Sequence, residues 1–229
     1  AMSSANALGE VESSAIGSYP PLGLGILCLV SGEREEAMRH LDLARVIAAR
    51  SDGKQVLRLI EALLAEDELV HDQGAAACDR LAPLLASHAL EERTRIELQT
   101  LYAWGLLQLG ALAEAEAVTL QAVQGARDHA MGLLLPDALR VQALSAMRRQ
   151  RWDEAEKALD EAIGLGREMP YPYAEAKALY VSGQMWVARD EPARAEAQFE
   201  EALAICQRLG ERLYGEAVAQ ALSDGGRAG

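Results

Sequence analysis

Pairs of alanines recur along this chain, and their spacing limits the possible fold more than any other feature. Within each pair the two alanines are seven residues apart, and successive pairs follow at intervals of 38, 40, 40 and 40 residues. The aligned pairs are Ala37/Ala44, Ala75/Ala82, Ala115/Ala122, Ala155/Ala162 and Ala195/Ala202. Self-similarity at a period of about 20–50 residues is typical of solenoids. Because alanine lets two helix axes approach to about 8 Å, the pattern predicts an array of closely packed helices.

Composition and periodicity favour helices throughout. Half of the residues are hydrophobic, but only 4% are aromatic, and the apolar content is mostly Ala and Leu. Both are strong helix formers. In the segment 154–163 the apolar residues recur at helical spacing. The sequence therefore predicts an all-α protein, a right-handed α-α superhelix of five helix pairs that ends in a C-terminal capping helix.

Proline and glycine residues suggest where the elements begin and end. Pro21 opens the first helix and Gly210 ends the last helix of the array. We predict a loose lead-in over residues 1–18, five repeats over 19–209, and a capping helix with a tail over 210–229. The predicted repeats are residues 19–53, 54–90, 91–133, 134–171 and 172–209.

The second repeat departs from the pattern of the others. Asp79 falls where a bulky apolar residue is expected, and Pro83 lies inside a helix, where we expect a kink or an early end. The other first helices carry a small residue that should face the alanines of the second helices, but Leu63 occupies that position here. These small residues are Gly25, Ala103, Ala143 and Gly183.

The fifth repeat carries a resemblance to the tetratricopeptide repeat (TPR) family. The matching positions are Leu179, Gly183, Trp186, Ala195, Phe199 and Ala202. The family's usual period is about 34 residues, and this chain exceeds it by roughly six. Repeats of this greater length are similar to those in MalT-like sensor regions of LuxR-type transcription regulators and related signal-transduction ATPases.

This resemblance implies a binding site on the concave surface that the first helices form. Carrying the family's ligand positions onto the last three repeats gives nine candidate residues for a partner-binding groove. They are Glu97, Thr100, Trp104, Arg140, Leu144, Arg148, Lys177, Tyr180 and Gln184. The Lys–Asn pair with which the chaperone-binding branch holds a terminal carboxylate is absent. Trp104 and Tyr180 are either anchors in the groove or packing residues between repeats.

Two cations on this surface allow alternative interpretations. Arg140 and Lys177 lie in neighbouring repeats of a protein with a net charge of −13. Together they predict a site for an acidic peptide segment or a partner's carboxylate, because a concave surface strengthens their attraction for an anion. Alternatively, they neutralise acidic neighbours across the groove, namely Asp137, Glu97 or Glu175.

Several classes of function are disfavoured. The acidic chain has no Lys/Arg cluster for phosphate contacts, so we expect no direct contact with nucleic acid. No HExxH, P-loop or nucleophile motif is present, so we expect no enzyme, no metal and no cofactor. The longest apolar run, Leu22–Val30, is too short to span a bilayer. Three scattered cysteines, Cys28, Cys78 and Cys206, suggest a reduced, cytoplasmic protein.

The sequence and the resemblance together predict a non-catalytic TPR module for protein–protein interaction. We expect it to be the sensor or scaffold part of a bacterial signalling or transcription regulator and to bind a peptide or protein in its groove. Two alternatives stay open. One is a sensor of a small ligand or peptide that changes the pitch of the superhelix, and the other is a self-assembling scaffold, for which a homodimer is the simplest form.

Overall fold

The structure is a computed structural model that describes residues 15–87 and 90–225. These residues form a short 3-10 helix, Ala15–Ser18, and eleven α-helices, and they contain no strand. The α-helices are α1 (Tyr19–Val30), α2 (Arg34–Arg50), α3 (Lys54–Val70), α4 (Gly74–Leu85), α5 (Glu92–Gln108), α6 (Leu112–Asp128), α7 (Leu135–Arg148), α8 (Trp152–Glu168), α9 (Pro172–Ala188), α10 (Pro192–Leu209) and α11 (Leu213–Gly225).

The helices pack in consecutive pairs. The pairs are α1/α2, α3/α4, α5/α6, α7/α8 and α9/α10, and α11 packs on the last of them. The first helices of neighbouring pairs also contact one another and form an inner layer. This arrangement confirms the all-α superhelix of five pairs with a capping helix. The repeat boundaries stay a prediction, and most of the predicted lead-in (residues 1–14) and the end of the tail (226–229) lie outside the described residues.

A recurring turn accounts for the forty-residue period. Six of the helices have 17 residues, and after five of them the next helix begins after a turn of three. Residues 129–134 separate α6 from α7, and α7 is correspondingly shorter, with 14 residues. In the turn after α7, the N–H of Gln150 donates to the carbonyl of Met147 and that of Arg151 donates to Ala146, both at 2.9 Å. These are the two bonds of a Schellman motif, which places Gln150 in the left-handed region at φ 58°. Helix and turn together make a unit of about twenty residues, and two units make one repeat.

Eight of the ten aligned alanines are buried, and the exceptions locate an error in the predicted register. Ala155 and Ala195, for example, are almost completely buried, as predicted. Ala75 and Ala82 are exposed, and their places are taken by Ala77 and Leu84. The physical reason is that α4 begins at Gly74, so Ala77 is the fourth residue of its helix, as Ala37, Ala115, Ala155 and Ala195 are of theirs. The N–H of Ala77 donates to the carbonyl of Gln73, and the other four alanines make the same bond at their helix starts.

The same shift by two residues removes both irregularities of the second repeat. Ala65, which is buried, holds the small-residue position that had been assigned to Leu63. Leu81, which is buried, holds the bulky apolar position that had been assigned to Asp79, and Asp79 is exposed. Helix α4 ends at Leu85, soon after its internal proline, and is shorter than its counterparts.

Two of the small residues of the first helices, Gly25 and Gly183, face a large residue and not the alanines, in contrast to the prediction. Gly25 lies against Leu41, and Gly183 lies against Phe199. Leu41 and Phe199 are the large residues between the two alanines of their helices, so each glycine receives a bulky side chain. None of the described helices is both long enough and apolar enough to cross a membrane.

Candidate functional site

The nine candidate residues lie on the inner layer of helices. Glu97, Thr100 and Trp104 are on α5, Arg140, Leu144 and Arg148 are on α7, and Lys177, Tyr180 and Gln184 are on α9. Because residues three or four apart share one face of a helix, each trio points to the same side. The residues line two cavities, of about 160 and 280 Å³, and Arg140 contributes to both. The structure thus brings all nine along one surface, while their binding of a partner remains a prediction.

Arg140 and Lys177 are buried in a cluster of charges. They are only 1% and 3% exposed. Nε of Arg140 lies 3.3 Å from the carboxylate of Asp137, and Nζ of Lys177 lies 2.8 Å from the same carboxylate. Nζ of Lys177 is also 3.2 Å from the carboxylate of Glu66. We call these four residues the buried charge cluster. Its geometry matches the neutralising interpretation, because neither cation faces open solvent.

The buried charge cluster also shifts the pKa values of Asp137 and Lys177. Burial by itself raises the pKa of the Asp137 carboxyl, but Lys177 and Arg140 outweigh that effect and hold the pKa below its usual range. Burial lowers the pKa of Lys177, and Asp137 and Glu66 more than compensate, so this pKa is raised. Asp137 and Lys177 are therefore both charged at neutral pH.

One member of the buried charge cluster, Glu66, and one neighbour, Tyr214, come from distant parts of the chain. Reasoning from the sequence missed both. Glu66 lies in α3, which supplied none of the candidate residues. Tyr214 lies in α11, and its hydroxyl donates to the Glu66 carboxylate at 2.9 Å. No local spacing signals either contact, because Glu66 is 111 residues from Lys177 and 148 residues from Tyr214.

The two aromatic candidates are both packing residues and walls of the smaller cavity. Trp104 is half-buried beneath Arg140, whose guanidinium carbon lies 4.5 Å from the ring centroid. Tyr180 is half-buried and tilted against Phe199, with ring centroids 6.0 Å apart. Both line the cavity of about 160 Å³. Trp104 therefore packs between repeats and Tyr180 packs within the fifth pair, and each also presents part of its surface to the inner face.

Two of the nine candidates lie beside the buried charge cluster and differ in their surroundings. Thr100 is buried, and its hydroxyl donates to the carbonyl of Ile96 at 2.8 Å. Glu97 is half-buried and makes no hydrogen bond or ion pair to any described residue. Burial raises the pKa of Glu97, and the nearby carboxylates of Glu66 and Asp137 raise it further against the opposing effect of Arg93. The Thr100 hydroxyl is therefore already used within its own helix, whereas the Glu97 carboxyl is not.

Among the nine candidates, Arg148 is the cation that stays accessible. Its side chain is exposed and, within the described chain, forms no hydrogen bond or ion pair. It lines the smaller cavity and also a mostly apolar cleft of about 600 Å³. The two spaces share Leu144, Arg148 and Gln184, and we call them together the inner trough. The cleft has further walls that sequence reasoning did not place there, chiefly Trp152, Phe199, Ala221 and Asp224.

The described residues contain no group of three or more His, Cys, Asp or Glu side chains placed to hold a metal ion. The inner trough instead combines an apolar floor with a few polar groups on its rim. Such a surface can take up an apolar side chain and orient it through a charge or a hydrogen bond.

Comparison with known proteins shows the fold. No protein-family model and no curated protein sequence matches the chain. Among solved structures, the chain is similar to aspartyl phosphate phosphatase F from Bacillus subtilis, with a TM-score of 0.59 and 15% identity, over 90% of this chain and 55% of that one. It thus spans about half the length of that protein. It is also similar to BtubC (BKLC) from P. vanneervenii, with a TM-score of 0.48 and 15% identity, over 95% of this chain and 86% of that one. The first likeness supports a TPR-like helical-repeat fold.

Proposed function

We propose that this chain is a non-catalytic protein-interaction module that binds a segment of a partner protein in the inner trough. The observation that carries the proposal is the position of Arg148. In a chain with a net charge of −13, this arginine has no acidic partner among the described residues and stands at the junction of both parts of the trough. Arginine and large apolar side chains are enriched where binding energy concentrates.

The chemistry of the trough suggests what the partner presents. Trp152, Val187 and Phe199 offer apolar surface in the cleft, and the Val187 side chain is 54% exposed. A bulky apolar side chain of the partner would gain about 25 cal/mol per Å² of apolar surface removed from water. A carboxylate next to it would pair with Arg148. The partner segment is therefore amphipathic, with Asp or Glu beside an aromatic or large aliphatic residue.

This proposal corrects the position of the anion-binding group. The sequence favoured Arg140 and Lys177, but both are neutralised within the buried charge cluster. Arg148, one of the same nine candidates, takes over that role. Trp104, Leu144, Tyr180 and Gln184 remain as walls of the trough, and Glu97, Thr100 and Lys177 line the neighbouring cavity.

We further propose that the module serves as the sensor or scaffold part of a bacterial signalling or transcription regulator. The forty-residue repeat and its resemblance to MalT-like sensor regions support this role, and the acidic charge favours protein partners over nucleic acid. Three free thiols fit a reducing cytoplasm.

A peptide selection tests the proposal. Random peptides displayed on phage are selected against the wild-type chain, against Arg148→Glu and against the control Arg208→Glu. Arg208 is exposed, lies in the last turn of its helix as Arg148 does, and lines none of the cavities described above. We expect wild type and control to select Asp or Glu beside a bulky apolar residue, and Arg148→Glu to select Lys or Arg there. Unchanged preferences in Arg148→Glu contradict the proposed site.

A second pair of variants tests the apolar cleft. Val187→Asp places a charge in the cleft, whereas Val46→Asp makes the same change at a valine of similar exposure in α2. For a peptide from the selection, measured by isothermal titration calorimetry, we expect Val187→Asp to weaken binding at least about tenfold, which corresponds to about 1.4 kcal/mol. Val46→Asp should leave the affinity unchanged. Equal effects of the two changes contradict a role of the cleft.

One observation favours the self-assembling scaffold as a second candidate. Helix α1, in the terminal repeat, exposes Leu24 and Leu27, at 47% and 61%. The terminal repeats of a solenoid normally present a polar outer face. Sedimentation velocity over a range of concentrations tests this candidate, and a constant monomer mass excludes it. The small-ligand sensor has no comparable observation in its favour.

A further inference from the structure

Helix α11 joins the two ends of the superhelix. The backbone N–H of Arg212, just before α11, donates to the carbonyl of Val30 at the end of α1, at 2.7 Å. The hydroxyl of Tyr214 donates to Glu66 in α3 at 2.9 Å. The same helix packs on α9 and α10 of the fifth pair. The capping helix therefore bridges the first two helix pairs and the last one.

Tyr214 is the centre of this bridge. It is 1% exposed, and its ring meets Tyr173 edge-on at 5.8 Å between centroids. Nζ of Lys177 lies 5.8 Å from the centroid of the Tyr214 ring. Tyr214 thus covers the buried charge cluster and donates a hydrogen bond to one of its carboxylates.

The closed arrangement has a large opposing cost. Burying ionised groups removes their hydration, and the attraction between them returns this cost only in part. If α11 moved away, the four charged residues of the cluster would regain water. The free energies of the closed and open forms therefore lie closer together than the number of contacts suggests, and such a balance is the basis of a two-state element.

The local structure allows α11 to move as one body. Gly210 precedes it in the left-handed conformation at φ 68°, which glycine adopts without strain. The Glu211 carboxylate accepts hydrogen bonds from the backbone N–H groups of Tyr214 and Gly215, at 3.0 and 3.1 Å. These bonds hold the first turn of α11 together, so the helix can pivot at Gly210 without unwinding.

We propose that Arg212 and Tyr214 form a latch that holds the superhelix closed, and that its release lets the first and last pairs separate. The latch is independent of what the inner trough binds. Because Tyr214 lines the smaller cavity and Ala221 lines the cleft, opening would also reshape both parts of the trough. A partner with different affinities for the closed and open forms would then be coupled to the latch.

The experiment measures the distance between the two ends. Spin labels are attached at Glu35→Cys in α2 and Ala219→Cys in α11, both exposed, in a Cys28→Ala background in which the remaining cysteines, Cys78 and Cys206, are buried. A reference pair, Asp153→Cys and Glu196→Cys, reports on the fourth and fifth pairs alone. Pulsed electron–electron double resonance gives the distribution of distances between the two spin labels of each labelled protein.

Three variants are compared. Tyr214→Phe removes only the hydroxyl of the latch. Arg212→Pro removes the N–H that binds Val30, together with the exposed ion pair of Arg212 with Glu216. Tyr180→Phe is the control on the same inner face. Because a hydrogen bond to a charged group contributes about 1.5–3 kcal/mol, Tyr214→Phe should raise the ratio of open to closed molecules about tenfold or more. We expect a longer distance between the ends in both latch variants, with the reference pair unchanged.

Two results overturn the latch. One is an unchanged end-to-end distance in both latch variants while the protein remains folded. The other is a broadened reference distance, which would show that the fifth pair unfolds and that α11 only stabilises it. A longer end-to-end distance in Tyr180→Phe would remove the specificity of the effect and count equally against the proposal.

Discussion

Gly183 lies directly against the ring of Phe199, and the structure leaves no room for a β-carbon between them. The first pair repeats this relationship, because a β-carbon on Gly25 would lie 2.6 Å from the Leu41 side chain. In each case a glycine of the first helix receives the large residue between the two alanines of the second. Close approach of the helices thus depends on one glycine and two alanines together.

Gly183→Ala should therefore destabilise the protein. Overpacking a well-filled contact costs about 1–3 kcal/mol, whereas alanine gains up to about 1 kcal/mol over glycine in helix propensity. We expect a net loss of about 1–2 kcal/mol in the free energy of unfolding, measured by urea denaturation. Gly164→Ala is the matched control, because a β-carbon there meets no atom within 4 Å, and this variant should be slightly more stable. Equal stability of the two variants would contradict the packing described.

Gln150→Gly should stabilise the chain. The left-handed conformation costs a non-glycine residue roughly 1–2 kcal/mol in the folded state, and glycine avoids this cost. Part of the gain is lost, because glycine is more flexible in the unfolded state. We expect a gain of about 0.5–1 kcal/mol in thermal or urea unfolding. Gln124→Gly, at an exposed position inside α6, should instead lose about 1 kcal/mol. A loss in both variants would show that the turn conformation of Gln150 is not under strain.

The fold was predictable because its signals are local and repeated. Eight alanines fall on buried positions, and the helices follow from spacing alone. The second pair was misaligned by two residues because alanines are frequent there: Ala75 and Ala82 are seven residues apart like the other pairs, whereas the equivalent positions hold Ala77 and Leu84. The start of α4 at Gly74 distinguishes the two registers, and the spacing of the alanines does not show where that helix begins.

The candidate site was predictable only as a surface. The resemblance to TPR repeats selected nine residues that lie along one inner face, because position within a helix determines which side chains share that face; their role in binding stays a prediction. The state of each charge depends on distant residues. Arg140 and Lys177 are neutralised within a cluster that includes Glu66, which lies two pairs from Arg140 and three from Lys177 and was not considered from spacing. Arg148 remains accessible at the end of α7.

Glu97→Gln should stabilise the protein at neutral pH. Because burial and neighbouring carboxylates raise the folded-state pKa of Glu97, ionisation of this group opposes folding as the pH rises through that pKa. Below about pH 4, the ordinary range of glutamate, both states are protonated and the two proteins should be equally stable. Urea unfolding at pH 4 and pH 7 measures the difference, with the exposed Glu35→Gln as control. A Glu97→Gln protein that is less stable at pH 7 would contradict the prediction.

Asp137→Asn should be the most damaging of these changes, since it removes the carboxylate shared by Arg140 and Lys177. Breaking a buried ion pair and leaving a cation without its partner costs about 3–5 kcal/mol.

The pH dependence follows from the lowered pKa of Asp137. Because the pKa of Asp137 is lower in the folded chain than in the unfolded chain, where it is about 3.9, ionised Asp137 stabilises the fold. This stabilisation is complete above about pH 3.9 and is lost as the pH falls from there toward the folded-state pKa. The difference between wild type and Asp137→Asn should therefore stay constant from pH 7 to about pH 5 and shrink only in stronger acid. Urea unfolding across this range measures it, and Asp153→Asn, an exposed aspartate in the first turn of α8, should change stability by no more than about 0.5 kcal/mol. A difference that disappears already near pH 5, or a loss below about 1 kcal/mol at pH 7, would show that Asp137 does not hold the two buried cations.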